Sequence, residues 1–150
     1  MATKISRATG NFTAAGTWGV VNSNGYVDSE ANSTAISTSA LTTPNFTPGF
    51  LVVDGVLLKL AARASSPTGT FTVTLRDTSI GSDLGSVTVN VSDLPSYGLG
   101  WVFFEFSATI NTLPGNTHAV KVVCSNTGSQ VTLYRSGTTD DFSKMICTTT

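Results

Sequence analysis

Thr70-Phe71-Thr72-Val73-Thr74-Leu75-Arg76-Asp77 decides the class of fold. Phe71, Val73 and Leu75 alternate with Thr70, Thr72, Thr74 and Arg76, a two-residue period that turns one row of side chains to a core and the other to water. The same period extends outward in both directions. Val56–Arg63 sets Val56, Leu58, Leu60 and Ala62 on one face against Lys59 and Arg63, and Val87, Val89 and Val91 alternate with Thr88 and Asn90. Trp101–Ile110, His118–Ser125 and Gln130–Arg135 read as three further strands, and helical periodicity is nearly absent. Turn formers separate them: Ser66-Pro67-Thr68-Gly69, Pro95 to Gly100, Leu113-Pro114-Gly115-Asn116 and Asn126-Thr127-Gly128. Short strands with such punctuation imply a sandwich or barrel.

Trp101–Ile110 departs from simple alternation. Val102, Phe104, Phe106 and Ala108 share one face, while Trp101 and Phe103 precede Glu105 and Ser107 on the other. A strand apolar on both sides is either central and covered twice, or it meets another chain. The first third, about residues 1–50, is less regular. Thr17–Val21 and Gly25–Asp28 are candidate short strands around Asn22-Ser23-Asn24-Gly25. Ser29–Pro48 has few apolar anchors; it reads as an arm lying on a neighbouring subunit or as a weak edge strand around Ala35–Leu41. No second domain, repeat or linker is visible, so residues 1–150 are expected to form one β-sandwich domain.

A chain of 150 residues with 40% hydrophobic content can build a core without disulfides or metal. Only 11% of residues are charged, against about 25% in an ordinary domain, so Thr, Ser and Asn supply the surface polarity. Lys59, Arg63, Arg76, Lys121, Arg135 and Lys144 are scattered singly, without the basic stripe of a nucleic-acid binder. No apolar run approaches the roughly 20 residues of a membrane span. Met1-Ala2-Thr3-Lys4-Ile5-Ser6-Arg7 lacks the apolar stretch of a secretory signal, so cytoplasmic synthesis with Cys124 and Cys147 as free thiols is expected, a Cys124–Cys147 bridge being the alternative. Cys124 is in phase with Val120 and Val122, as a buried thiol would be.

Few residues offer chemistry. His118 is the one histidine, and a strand-end imidazole is the expectation for it, since a Ser-His-Asp relay needs three positioned partners. The two cysteines lack the spacing and histidine partners of a zinc site. Glu105, beside Trp101 and Phe103, is the best candidate for a glycosidase carboxylate, yet its second acid has no assignable position. Asp77, Asp83 and Asp93 read as solvated turn aspartates, because no calcium-loop spacing surrounds them. No catalytic residue, metal ligand or cofactor is therefore assigned. Trp18, Tyr97, Trp101 and Phe103 are the candidate contact residues for a ligand or partner, Trp18 and Tyr97 because they adjoin Gly/Asn/Ser turns.

Gly69-Thr70-Phe71-Thr72-Val73-Thr74-Leu75-Arg76-Asp77, Gly85-Ser86-Val87-Thr88-Val89, Gly100-Trp101-Val102-Phe103-Phe104-Glu105-Phe106 and Leu113-Pro114-Gly115-Asn116-Thr117-His118-Ala119-Val120 together form a pattern. It resembles the jelly-roll domains of bacteriophage structural proteins and of some carbohydrate-binding or surface-anchored modules. The resemblance covers the last two thirds; His118 stands where a tyrosine is frequent, and no ligand residues carry over. It implies an all-β, antiparallel jelly-roll-like sandwich. Together with the missing secretion signal, the single small domain without a catalytic constellation and the neutral Thr/Ser/Asn surface, it points to a non-enzymatic virion subunit made in the host cytoplasm, with a capsid-decorating role first and a carbohydrate- or receptor-binding tail module second. A small glycan-active enzyme is a distant third. The expected partners are a major capsid or tail protein and further copies of the chain as a homo-oligomer, with a glycan for the second reading and neither nucleic acid nor membrane.

Overall fold

A computed structural model describes residues 5–8, 33–47, 52–96, 100–128, 130–134 and 143–147. Along the chain run β1 (Ile5–Ala8), β2 (Ser33–Ile36), β3 (Leu41–Thr42), β4 (Val52–Arg63), β5 (Thr70–Asp77), β6 (Ser82–Asn90), β7 (Gly100–Asn111), β8 (His118–Cys124), β9 (Val131–Tyr134) and β10 (Ser143–Cys147). The candidate strands at Thr17–Val21 and Gly25–Asp28 lie outside the described residues.

Every pairing among the described strands is antiparallel. One sheet has the order β1-β7-β4-β9-β2, with β10 also on β4; the other is β3-β8-β5-β6. Taken from β2 to β9, the chain crosses between sheets so that β2-β9-β4-β7 and β3-β8-β5-β6 form the two halves of interlocked Greek keys. That connectivity is the jelly roll, and the expected fold class holds. In place of one weak edge strand around Ala35–Leu41, the chain makes two: β2 borders the larger sheet and β3 the smaller. The step between them carries the chain from one layer to the other.

Alternation fills the space between the layers. Phe71, Val73 and Leu75 of β5, Val87 and Val89 of β6, and Val120, Val122 and Cys124 of β8 face Val56, Leu58 and Leu60 of β4 and Val102, Phe104 and Phe106 of β7. Phe71 and Phe104 meet with centroids 5.4 Å apart and planes tilted 59°, a favourable geometry for aromatic quadrupoles. Cys124 is a buried free thiol, and burial pushes its pKa up.

Irregular registers account for two departures from strict alternation. Ala62 is exposed where the core face was expected, because β4 shifts against β9 between Leu60 and Ala62. Ala108 is exposed too: Val53 pairs with Ile110 but Gly55 with Glu105, so residues 106–109 of β7 bulge opposite Asp54. Thr109 Oγ1 pins that bulge by donating to Asp54 Oδ1 at 2.9 Å. Val91 is fully buried, but from a single 3₁₀ turn, Val91–Asp93, that ends β6.

Candidate functional site

β7 lies between β1 and β4 inside the larger sheet, so its edges are both paired. Its inner face carries the core; its outer face carries Trp101 and Phe103, each half-buried, and exposed Glu105. Their register partners on β4 are Lys59, Leu57 and Gly55. Gly55 is the floor under Phe103: a Cβ there would come within 2.7 Å of the ring's Cε2 and Cζ. Leu57 is buried beside it although it points away from the core. Lys59 Nζ sits 5.4 Å from the centre of the Tyr134 ring, a cation–π contact that ties β4 to β9 on the same face. Among the described residues, the outer face of the larger sheet thus holds an aromatic strip with Lys59 and Glu105 along it, on strands paired side by side. Of the four candidate contact residues, Trp101 and Phe103 belong to this strip; Trp18 and Tyr97 lie outside the described residues.

A second polar constellation lies at one end of the sandwich. Asp77 ends β5 and pairs in register with His118, which starts β8. Asp77 is 1% exposed, not the solvated turn aspartate that spacing suggested. Its Oδ1 accepts from the Ser79 and Ile80 amides at 2.9 and 3.2 Å, and its Oδ2 accepts from Asn116 Nδ2 at 2.7 Å. The Asn116 bond, helped by those amides and by nearby His118, holds the carboxyl below its ordinary pKa despite desolvation. Around it, Thr78 donates to the Thr117 carbonyl at 2.9 Å, and the Thr117 amide donates to Ser79 Oγ at 2.9 Å. The β5–β6 turn and the β7–β8 loop are thereby stitched together. Their tips carry Ile80 and Leu113, the exposed large hydrophobics among the described residues.

His118 is completely buried. Its Nδ1 is 3.2 Å from the Asn116 carbonyl, and its Nε2 is 3.8 Å from Asp77 Oδ2 with no hydrogen-bond partner among the described residues. Asp77, His118 and Ser79 are near one another, yet the Ser79 hydroxyl is engaged by Thr117. Asp77 and His118 make a buried structural knot with exposed Ser79 at its rim, not a nucleophile relay, which would need the hydroxyl on the imidazole. Sequence reading missed this knot because Asn116 and Asp77 are 39 positions apart.

On the smaller sheet, Asp83 accepts from Arg76 at 2.6 Å and from Lys121 at 2.8 Å. Lys121 foremost, with Arg76, holds the Asp83 carboxyl below its ordinary pKa. Asp93 accepts from Asn90 Nδ2 at 3.0 Å. Among the described residues no three His, Cys, Asp or Glu side chains gather as metal ligands. No helix among them is long and apolar enough to cross a membrane.

The fold and this geometry define an all-β jelly-roll sandwich with an aromatic strip on one outer face and a rigid loop pair at one end. No protein-family model, curated protein or solved structure matches the chain.

Proposed function

We propose that the chain is a non-enzymatic structural subunit of a bacteriophage particle, a capsid-decorating protein that binds the major capsid protein on the outside of the head. The observation that carries this reading is the Trp101–Phe103 strip on the outer face of β7, held over Gly55. Rigid aromatic side chains beside a polar surround are the usual anchors of protein interfaces. The 11% charge content limits repulsion between closely packed copies, and many equivalent contacts on a symmetric lattice let modest affinities accumulate. Cryo-electron microscopy of purified particles, with mass spectrometry of their proteins, tests the reading. Symmetric density for this chain on the head supports it, and absence from the particle overturns it.

A second reading, a carbohydrate- or receptor-binding module of a tail, draws support from Trp101 and Glu105 on one face of β7. The aromatic rings of this face can stack on sugars, and Glu105, next along the face from Phe103, can accept from sugar hydroxyls. Binding on a bacterial polysaccharide array, lost in Trp101→Ala, would favour it over decoration.

A further inference from the structure

Most free sheet edges here are short: β1 and β2 have four residues each, β3 two and β10 five. β6 has nine, and no described strand pairs with its outer edge. Long edges are ordinarily guarded by Lys, Pro or a bulge, because their unpaired amides and carbonyls invite another strand. Among the described residues, β6 is guarded only in its first half. Leu84 is bulged out between the Arg76–Asp83 and Leu75–Gly85 pairs, and Asp83 is folded back onto Arg76 and Lys121. Beyond the bulge, Ser86-Val87-Thr88-Val89-Asn90 has neither charge nor proline. Val87 and Val89 line the core, while Ser86, Thr88 and Asn90 are exposed.

This segment has nearly the same pattern in both directions about Thr88: polar, valine, threonine, valine, polar. We propose that β6 pairs antiparallel with β6 of a second copy about a two-fold axis at Thr88, joining two four-stranded sheets into one of eight strands. The register sets Thr88 against Thr88 of the second copy, Val87 against its Val89, and Ser86 against its Asn90. Directly opposed residues share a face, so valines meet on the core side and hydroxyl and amide groups on the outer side. Each contact off the axis occurs twice, as an isologous interface requires, and Thr88 meets its own copy on the axis. Thr72 and Thr88 already bring their hydroxyl oxygens to 2.8 Å across β5 and β6, and the pairing continues that row of threonines into the second copy. The ladder ends at the Leu84 bulge and at the Val91–Asp93 turn, so Asp83 and Asp93 of opposite copies are not drawn into it. Five residues per strand make a small contact beside the roughly 1,200–2,000 Å² of a stable interface, so the dimer is weak and concentration-dependent. The inference is independent of any role in a virion.

Sedimentation velocity on the full chain from micromolar to millimolar concentration tests it. Wild type should pass from monomer to dimer. Thr88→Lys and Thr88→Glu each oppose like charges at the axis and should weaken association about tenfold or more, while an equimolar mixture of the two restores the dimer. Thermal melts verify that both variants fold. If either does not, Ser86→Lys/Asn90→Lys mixed with Ser86→Glu/Asn90→Glu repeats the exchange at the flanking pairs. A wild type monomeric throughout, an association unchanged in Thr88→Lys, or a mixture that stays monomeric overturns the proposal.

Discussion

Replacing Gly55 by alanine perturbs the core and the aromatic strip together. Gly55 sits in β4, flanked by β7 on one side and β10 on the other. A Cβ at this position would collide with the Phe104 carbonyl oxygen and lie 2.7 Å from two carbons of the Phe103 ring, closer than real Cβ atoms come. The ring can turn aside, but the carbonyl belongs to the backbone of a paired strand. Overpacking of this kind costs about 1–3 kcal/mol, and removing a mid-strand glycine offsets roughly 0.5–1 kcal/mol of that. Because the carbonyl cannot move aside, the upper half of that cost applies and the net loss is about 1–2.5 kcal/mol, which lowers Tm by roughly 2–10 °C for a domain of this size. Gly85→Ala is the control. There the first obstacle is the Cδ1 tip of Ile110, a side-chain end that can rotate, so the loss should be smaller. Urea melts of Gly55→Ala, Phe103→Ala and the double variant complete the test. Because the ring supplies only part of the obstruction, Phe103→Ala should recover a fraction of the Gly55→Ala loss. Wild-type stability in Gly55→Ala, or strict additivity in the double variant, refutes the picture of Phe103 resting on Gly55.

Phe104→Ala should cost roughly 3–5 kcal/mol in urea unfolding, with a coupling to Phe71→Ala of about 1 kcal/mol in a double-mutant cycle; full additivity would place the two rings out of contact. The Asp77 carboxyl has a depressed folded-state pKa, so its contribution to stability is present above the ordinary carboxylate pKa and is lost as pH falls through the folded value. Asp77→Asn should therefore lower stability at neutral pH and flatten the decline below about pH 4, read from urea midpoints across an acid series; an unchanged acid limb would refute the assignment. A screen of glycan and ester substrates should find no turnover abolished by Glu105→Gln or His118→Ala, and loss of a real activity in either variant would overturn the non-enzymatic reading.

Where neighbours along the chain set a residue's environment, sequence alone was enough. Phe71, Val73 and Leu75, then Val102, Phe104 and Phe106, face the core as their period required. Ala62 and Ala108 failed because a bulge changes register without leaving a mark in the hydrophobic pattern; the one glycine nearby, Gly55, borders the shift on β4 and not on the bulged stretch of β7. Asp77 failed for a different reason. A turn aspartate is solvated unless a distant loop closes over it, and here that loop brings Asn116 and His118. Trp101 and Phe103 were legible as a second apolar face, but Gly55 as the floor under Phe103 was not, because the register of β4 against β7 determines it.

The same connectivity governs the order in which the chain can assemble. β5 and β6 are joined by the short turn Thr78–Gly81 and can pair as soon as both exist. The larger sheet has no such shortcut: Ile5 finds Phe104 and Ser33 finds Tyr134, partners about a hundred residues away. Closing loops of that length precedes the contacts that reward it, which puts folding in the slow, millisecond-to-second regime of non-local β topologies. A β5–β6 hairpin formed ahead of the larger sheet would stand uncovered, with Phe71, Val73, Val87 and Val89 turned to water. Refolding yield should fall with protein concentration more steeply than native-state stability alone would suggest.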